Sequence, residues 1–451
     1  MIIMKFGGTS IQNKTAISRV SKIINENQHH QPVLVFSALG KTTRNLLLVA
    51  RLSASNQKKI SFQEIDKVKS YHLQFAEQSI QDFKLTASHT IFQQYFIEIG
   101  NLLKTIADHQ EVSLNHQDKL LAYGELLSSL IITDILKNKN IPVQLLDARD
   151  FIKTDDWFTN ANLLEEYSID RVKKHVLPVV QSDKIPVVQG FIGSTKKGET
   201  TTLGFEGSDY TAAILGSALN ADTIQIWKDV PGLMTADPDI FPNAKLLKSM
   251  TYDEAAELTS AGAKILHPRT ISPAKKRNIS IVIKDVNDPL SGGTIISKDK
   301  ESGKKIATSI TCSPVLCLNI HAVESNEKKK LIETIHNMLK KEHVSTYLIE
   351  KCKDKLALAI TATEKMDTFL ENFSELCDVQ IKKNNSAITL VSNNYFQNMD
   401  IENLIYDSLK NFKIQLTHRK EFSNRITLIS ETSDVPKIID LLHKQFITPA
   451  I

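Results

Sequence analysis

From Met1 to about Ser297, short continuous apolar runs alternate with amphipathic stretches. IIMKF (2–6), PVLVFSAL (32–39), PVQLLDA (142–148), IPVVQGFIGS (185–194) and TIQIWKDV (223–230) read as strands. Each is mostly apolar without strict alternation, as suits a strand covered on both faces. Between them, TAISRVSKIINEN (15–27), a stretch from about Thr43, LLAYGELLSSLIITDILKNKN (120–140) and Asp209–Leu219 carry apolar residues at helical spacing. Ser61 to about Asp108 has the same spacing and few glycines, and predicts long helices added to the sheet unit. Strands and helices in alternation predict an α/β fold in three layers around a mostly parallel central sheet.

The texture changes near Lys298, where SKDKESGKK is polar and charged and suits a linker. Two similar patterns follow. VLCLNIHAV, a helix through LIETIHNMLKKEHV, STYLIEK and KLALAITA form the first, with the helix KMDTFLENFSEL after it. SAITLVS, a helix through IENLIYDSLKNF, KIQLTHR and RITLISE form the second, with VPKIIDLLHKQF after it. A repeat of about 70 residues with this order predicts two βαββαβ ferredoxin-like modules. The expected division is residues 1–297, a linker at 298–306, and modules at 307–380 and 381–451.

Composition narrows the functional classes. The 451 residues are 41% hydrophobic and 24% charged, which is ordinary globular material. A net charge of +4, dispersed along the chain, argues against nucleic acid or a membrane surface as partner. No run of about 18 apolar residues occurs, and MIIMKFGGTS enters a strand at once rather than reading as a signal peptide. Cys312, Cys317, Cys352 and Cys377 form no Cys-x-x-Cys pair, so neither zinc nor a disulfide framework is expected. A reduced, cytoplasmic setting is the expectation.

The candidate chemistry sits in loops after strands. Lys5-Phe6-Gly7-Gly8-Thr9-Ser10 lets bare backbone approach an anion beside a lysine. Ser37-Ala38-Leu39-Gly40-Lys41-Thr42-Thr43 contains Gly-Lys-Thr, but Val35 stands where a phosphate-binding P-loop needs glycine. It offers hydroxyls to a small substrate instead. TLGFEGSDYTAA, Thr202 to Ala213, places Gly204 and Gly207 ahead of a helix that Ser208 or Asp209 can cap. Trp227–Pro238 (WKDVPGLMTADP) leaves a strand's carboxyl end, where open α/β sheets bind ligands. Ser260–Pro268 (SAGAKILHP) sets Lys264 among small residues. Taken singly, each loop also reads as an ordinary capped turn.

Together and in this order, KFGGTS, SAxGxTT, YGELLS, TLGxxGSDYTAA, WKDVPGxxTADP and GAKILHPRT resemble the aspartokinases of the amino acid kinase family. The resemblance covers roughly residues 2 to 297, and the C-terminal repeat looks like the paired ACT domains that follow such kinases. It implies transfer of the γ-phosphoryl of ATP to the side-chain carboxylate of aspartate. By resemblance, Lys5 sits on the transferring group, Lys264 holds the nucleotide phosphates, and Asp209 orients the lysines. Gly7, Gly8 and Ser10 line the phosphate path. Ser37, Thr43, Glu125 and Ser208 surround aspartate, with Glu125 gripping its ammonium group. Lys228, Asp229, Met234 and Asp237 line the nucleotide pocket. Mg2+ is expected on phosphate oxygens and water rather than on protein ligands, and self-association through the ACT modules, as a homodimer or larger, is expected.

The chain also departs from the family. Phe205 stands where TLGRxGSD has an arginine that would clamp a carboxylate of aspartate, and Asp239 replaces the arginine of TADPR. Three readings follow: a working aspartokinase with a compensating base such as Arg44 or Arg269, a kinase for a less anionic relative of aspartate, or a weak homologue that binds amino acids as a regulator. In the first ACT module, Tyr347 stands where lysine-inhibited relatives carry an acid, so strong lysine inhibition is not expected.

Overall fold

A computed structural model of the chain describes residues 1–204, 206–263, 266, 268–298, 307–321, 346–351, 355–361, 378–392, 401–417 and 424–447. Two compact units emerge, Met1–Leu233 with Leu266–Lys298, and Met234–Ile265 with Asp299–Ile451.

Along the chain the first unit contains β1 (Ile2–Phe6), α1 (Lys14–Glu26), β2 (Pro32–Phe36), α2 (Thr42–Ala54), α3 (Lys58–Ser79), α4 (Ala87–His109), α5 (Leu114–Asn138), β3 (Val143–Leu146), α6 (Ala148–Phe151), β4 (Lys153–Thr154), α7 (Glu165–Gln181), β5 (Ile185–Gln189), β6 (Ile192–Thr195), β7 (Thr200–Thr202), α8 (Gly207–Leu219) and β8 (Thr223–Lys228). The second unit supplies β9 (Ser249–Thr251) and α9 (Tyr252–Ser260), and the chain then returns for α10 (Pro268–Arg277), β10 (Ser280–Asp285) and β11 (Thr294–Ser297).

The sheet of the first unit runs β3-β5-β2-β1-β8-β10-β11. All its pairings are parallel except β11 against β10. Three strands end in register, Phe6 opposite both Phe36 and Trp227. Their rings stack, with centroids 5.5 Å apart for Phe6–Phe36 and 6.0 Å for Phe6–Trp227. This aromatic floor fixes where the next residues emerge, so Gly7, Ser37 and Lys228 leave neighbouring strand ends together. Helix α5 runs through the interior, buried almost continuously from Leu120 to Leu136, because its sequence is apolar all round rather than on one stripe. Its N-terminus is capped by Ser113, whose hydroxyl accepts from the His116 N–H.

IPVVQGFIGS, expected as one strand, is two. The chain breaks after Gln189, and Phe191 adopts φ of +69°. β5 stays in the main sheet, whereas β6 joins β4 and β7 in a separate three-stranded sheet. The break is tertiary in origin: a Cβ on Gly190 would stand 2.4 Å from Cβ of Ser208, so the turn exists only because that position is bare.

The second unit continues with β12 (Ser309–His321), β13 (Thr346–Lys351), β14 (Lys355–Thr361), β15 (Asp378–Val391), α11 (Ile401–Ser408), β16 (Gln415–Leu416), β17 (Arg425–Glu431) and α12 (Val435–Leu442). Its strands make one antiparallel sheet in the order β13-β14-β12-β15-β17-β16. The long strands β12 and β15 pair along their whole lengths, Ser309 opposite Val391 at one end and His321 opposite Asp378 at the other. One half of β12 also pairs with β14 and the opposite half of β15 with β17, so both repeats share these two strands. The predicted helices LIETIHNMLKKEHV and KMDTFLENFSEL, and the linker from Asp299 on, lie outside the described residues. Ile310, Ile388, Leu390, Ile405, Leu428, Ile439 and Phe446 build the core under α11 and α12.

Candidate active site

Lys5 is a cation inside an otherwise apolar strand and is 3% exposed. Burial of such a charge requires a partner. It is Asp209 in the first turn of α8, fully buried, with Oδ1 2.5 Å from Lys5 Nζ. The same carboxylate holds a second lysine: Oδ2 lies 3.1 Å from Lys228 Nζ at the end of β8. Lys228 in turn meets Glu206 Oε2 at 3.1 Å. Two cations and two carboxylates therefore form one chain, Lys5–Asp209–Lys228–Glu206, buried at Lys5 and Asp209 and half-buried at Lys228 and Glu206.

Electrostatics follow from that geometry. Burial alone would raise Asp209, yet the charges of Lys228 and Lys5 prevail and hold it down to about 2. Glu206 is raised, by burial first and by the Asp209 charge second, with Lys228 opposing. Burial would lower Lys228, but Asp209 and Glu206 leave it above the ordinary lysine range. Asp209 also sits at a helix N-terminus, where the backbone dipole favours negative charge.

The loop after β1 shows how glycine serves the site. A Cβ on Gly8 would lie 2.5 Å from the Ala38 carbonyl oxygen and 3.0 Å from that of Gly40. Only a bare backbone lets this loop seat against the loop after β2, where the Gly40 N–H donates to the Gly8 carbonyl at 3.0 Å. The Gly7 N–H donates to the Trp227 carbonyl at 3.2 Å. Ser10 is 1% exposed, and its hydroxyl has no hydrogen-bond partner among the described residues.

Glu125 projects from α5 beneath the loop after β2. Its Oε1 accepts the Ala38 N–H at 3.3 Å, and its Oε2 is buried without a hydrogen-bond partner among the described residues. Burial pushes this carboxyl up to about 8, against the Ala38 hydrogen bond and the Lys5 charge, which pull the other way. Ser37 joins the same corner, its carbonyl accepting the Ser128 hydroxyl at 2.7 Å. Thr43 is half-buried in the first turn of α2, Ser208 packs against Gly190, and Asp229 is exposed just past β8. Met234 and Asp237 belong to the second unit, where Asp237 Oδ1 accepts the Asp239 N–H at 3.0 Å. Phe205 and Lys264 lie outside the described residues. Arg44 is exposed on α2, and Arg269 donates to the Ala161 carbonyl at 3.3 Å.

Two participants were not singled out by sequence. Glu206 is the second partner of Lys228. Asp118, fully buried on α5, accepts the Thr159 and Thr202 N–H groups at 2.8 Å each and the Thr202 hydroxyl at 2.6 Å. It pins the 155–164 loop to the strand leading into TLGFEG, and Asn160 Oδ1 lies where a Cβ of Gly204 would fall, 2.5 Å away. No local signal marks Asp118, because its partners are 41 and 84 residues away.

Comparisons with known proteins fit this architecture. Aspartokinase 1, chloroplastic, of Arabidopsis thaliana is 29% identical over 98% of this chain and 80% of its own length. Lysine-sensitive aspartokinase 3 of Escherichia coli is 28% identical over 98% of both. The crystal structure of E. coli aspartokinase III in complex with aspartate and ADP, in its R-state, superposes with a TM-score of 0.87 at 26% identity, covering 99% of this chain and all of that one. The model of the amino acid kinase family matches residues 1–285, well over half the sequence, and the chain belongs to that family.

Proposed function

We infer that this chain is an aspartate kinase, transferring the γ-phosphoryl group of ATP to the side-chain carboxylate of L-aspartate, first in the route toward lysine, threonine and methionine. The observation that carries the reading is the chain of ion pairs joining Lys5, Asp209 and Lys228 at the carboxyl ends of β1 and β8, in a fold shared with aspartokinases along nearly its full length.

The chemistry suits these groups. The nucleophile is an anion already, so no general base is needed; the barrier lies in bringing two anions together and stabilising charge on the transferring group. A carboxylate oxygen attacks the γ-phosphorus, the bond to the β-phosphate oxygen breaks, and ADP leaves. Lys5 and Lys228, held by Asp209, present ammonium groups to the phosphates, with Lys264 as a third. Gly7, Gly8 and the Ser10 hydroxyl, which has no partner among the described residues, line the phosphate path. Met234, Asp237 and Asp229 serve the nucleotide. Ser37, Thr43, Ser208 and Glu125 Oε2, which has no partner among the described residues, take up aspartate, Glu125 meeting its ammonium group. A divalent cation such as Mg2+, brought in with the nucleotide, would supply further neutralisation of the phosphate charge.

Residues 1–297 act as the catalytic domain, 298–306 as linker, and 307–380 and 381–451 as ACT modules through which a homodimer or larger assembly forms. No helix among the described residues is long and apolar enough to cross a membrane. Phe205 motivates a second reading, a weak or altered-substrate homologue that binds amino acids as a regulator. Trapping the acyl phosphate with hydroxylamine, in the presence of ATP, Mg2+ and a panel of amino acids, separates the two. A signal with aspartate that Lys5→Ala abolishes supports the enzyme. Silence with every acid, with an amino acid still bound, supports the regulator.

A further inference from the structure

The second unit holds a cavity of about 1260 Å³, far from empty of chemistry. Four lysines line it, Lys382, Lys383, Lys410 and Lys413, against one carboxylate, Glu431. None of the four makes an ion pair among the described residues, and with one carboxylate against four ammonium groups the lining carries an excess of positive charge.

Two features show that the site is shaped by the fold. The first is a bulge in β15: Val315 pairs with Asn385 and Cys317 with Lys382, so Lys383 and Asn384 stand opposite Leu316 alone. Asn384 takes φ of +63°, and the Asn385 side-chain amide donates to the Lys383 carbonyl at 3.0 Å. The second is Ser430 on β17, which lines the cavity, is 2% exposed, and has a buried hydroxyl without a partner among the described residues. A buried hydroxyl left unsatisfied is costly, and a ligand polar atom would relieve it. Tyr406 and Phe412 form an apolar wall beside the lysines.

We propose that this cavity binds a small organic polyanion with a flat apolar portion, its acid groups on the lysines, its ring against Tyr406 and Phe412, and one polar atom on Ser430. Size does not restrict the ligand further, since the volume exceeds that of ordinary small-molecule pockets.

Hydrogen-exchange mass spectrometry on the full chain tests this, with adenosine monophosphate and, separately, pyrophosphate as probes. Site resolution separates this cavity from the kinase loops. At adenosine monophosphate concentrations ten times the dissociation constant, exchange in segments 380–386 and 409–416 should slow by about tenfold. The double variant K383Q/K413Q, which changes exposed side chains and leaves the core intact, should lose that slowing. The proposal is overturned if adenosine monophosphate at millimolar concentration leaves these segments unslowed, if pyrophosphate slows them as much as adenosine monophosphate does, or if the double variant responds as the parent does.

Discussion

Glu125 offers the sharpest test, because one buried carboxyl ties stability to substrate affinity. Its ordinary value is 4.5, and burial moves it to about 8. Ionising it in the folded protein is therefore about 5 kcal/mol costlier than in the unfolded chain. The sign is that of an acid raised on folding. Below pH 4.5 both states are neutral and nothing is lost; as pH rises toward 8 the unfolded chain releases the proton while the folded one keeps it, and stability falls. Between pH 6 and 8 this group should remove about 2–3 kcal/mol. Glu125→Gln abolishes that loss, so in urea unfolding of the two proteins the variant should gain on the parent by that amount from pH 6 to pH 8. Affinity moves the opposite way. An ammonium ligand needs the ionised carboxylate, so the apparent KM for aspartate should fall about tenfold per pH unit up to pH 8. The glutamine variant should show a high KM with no such slope. An identical stability difference at both pH values, or a KM slope that survives in Glu125→Gln, would refute the reasoning.

Other outcomes can be checked with the same assays. Phe205→Arg should lower KM for aspartate, since a missing carboxylate clamp costs roughly 2–5 kcal/mol; a fall in activity would mean the pocket has been rebuilt around the ring. Asp118→Asn turns an acceptor toward N–H groups as a donor, and should cost about 2 kcal/mol of stability and raise KM, measured by urea unfolding and initial rates. His72, buried between its Val68 carbonyl and Thr42, is lowered to about 4 by burial. The unfolded chain takes up its proton first, so stability should drop by about 3 kcal/mol from pH 6.5 to pH 4, and His72→Gln should flatten that stretch. Glu125 acts oppositely above pH 4.5, so each effect is read against its own variant. Lysine at millimolar concentration should inhibit weakly or not at all; strong inhibition in a rate titration would contradict the reading of Tyr347.

Much of the first unit was legible because its strands are mostly apolar without alternation and its helices keep a clear period. β1, β2 and β8 fall where the apolar runs place them, and with them the loops that follow. What failed was non-local. Gly190 and Phe191 look like the middle of a strand until Ser208 arrives from α8 to fill the space. The role of Lys228 was readable only as a nucleotide contact, since its grip on Asp209 and Glu206 depends on β8 lying next to β1. Asp118 is one acid on a long helix, and nothing nearby in sequence hints at Thr202. In the second unit the repeat was visible from its pattern, whereas the sharing of β12 and β15 was not: a strand's period does not reveal that its two halves serve different neighbours.

That sharing governs how the C-terminal half can be dissected. Because β15 runs unbroken from Asp378 to Val391, a protease nick or a truncation placed at residue 380 would take an edge from one repeat and leave the other an incomplete ladder. Neither fragment keeps a full set of backbone partners, so the pair should melt and exchange as one cooperative block. In evolution, too, one repeat could not be swapped or lost without carrying its neighbour along.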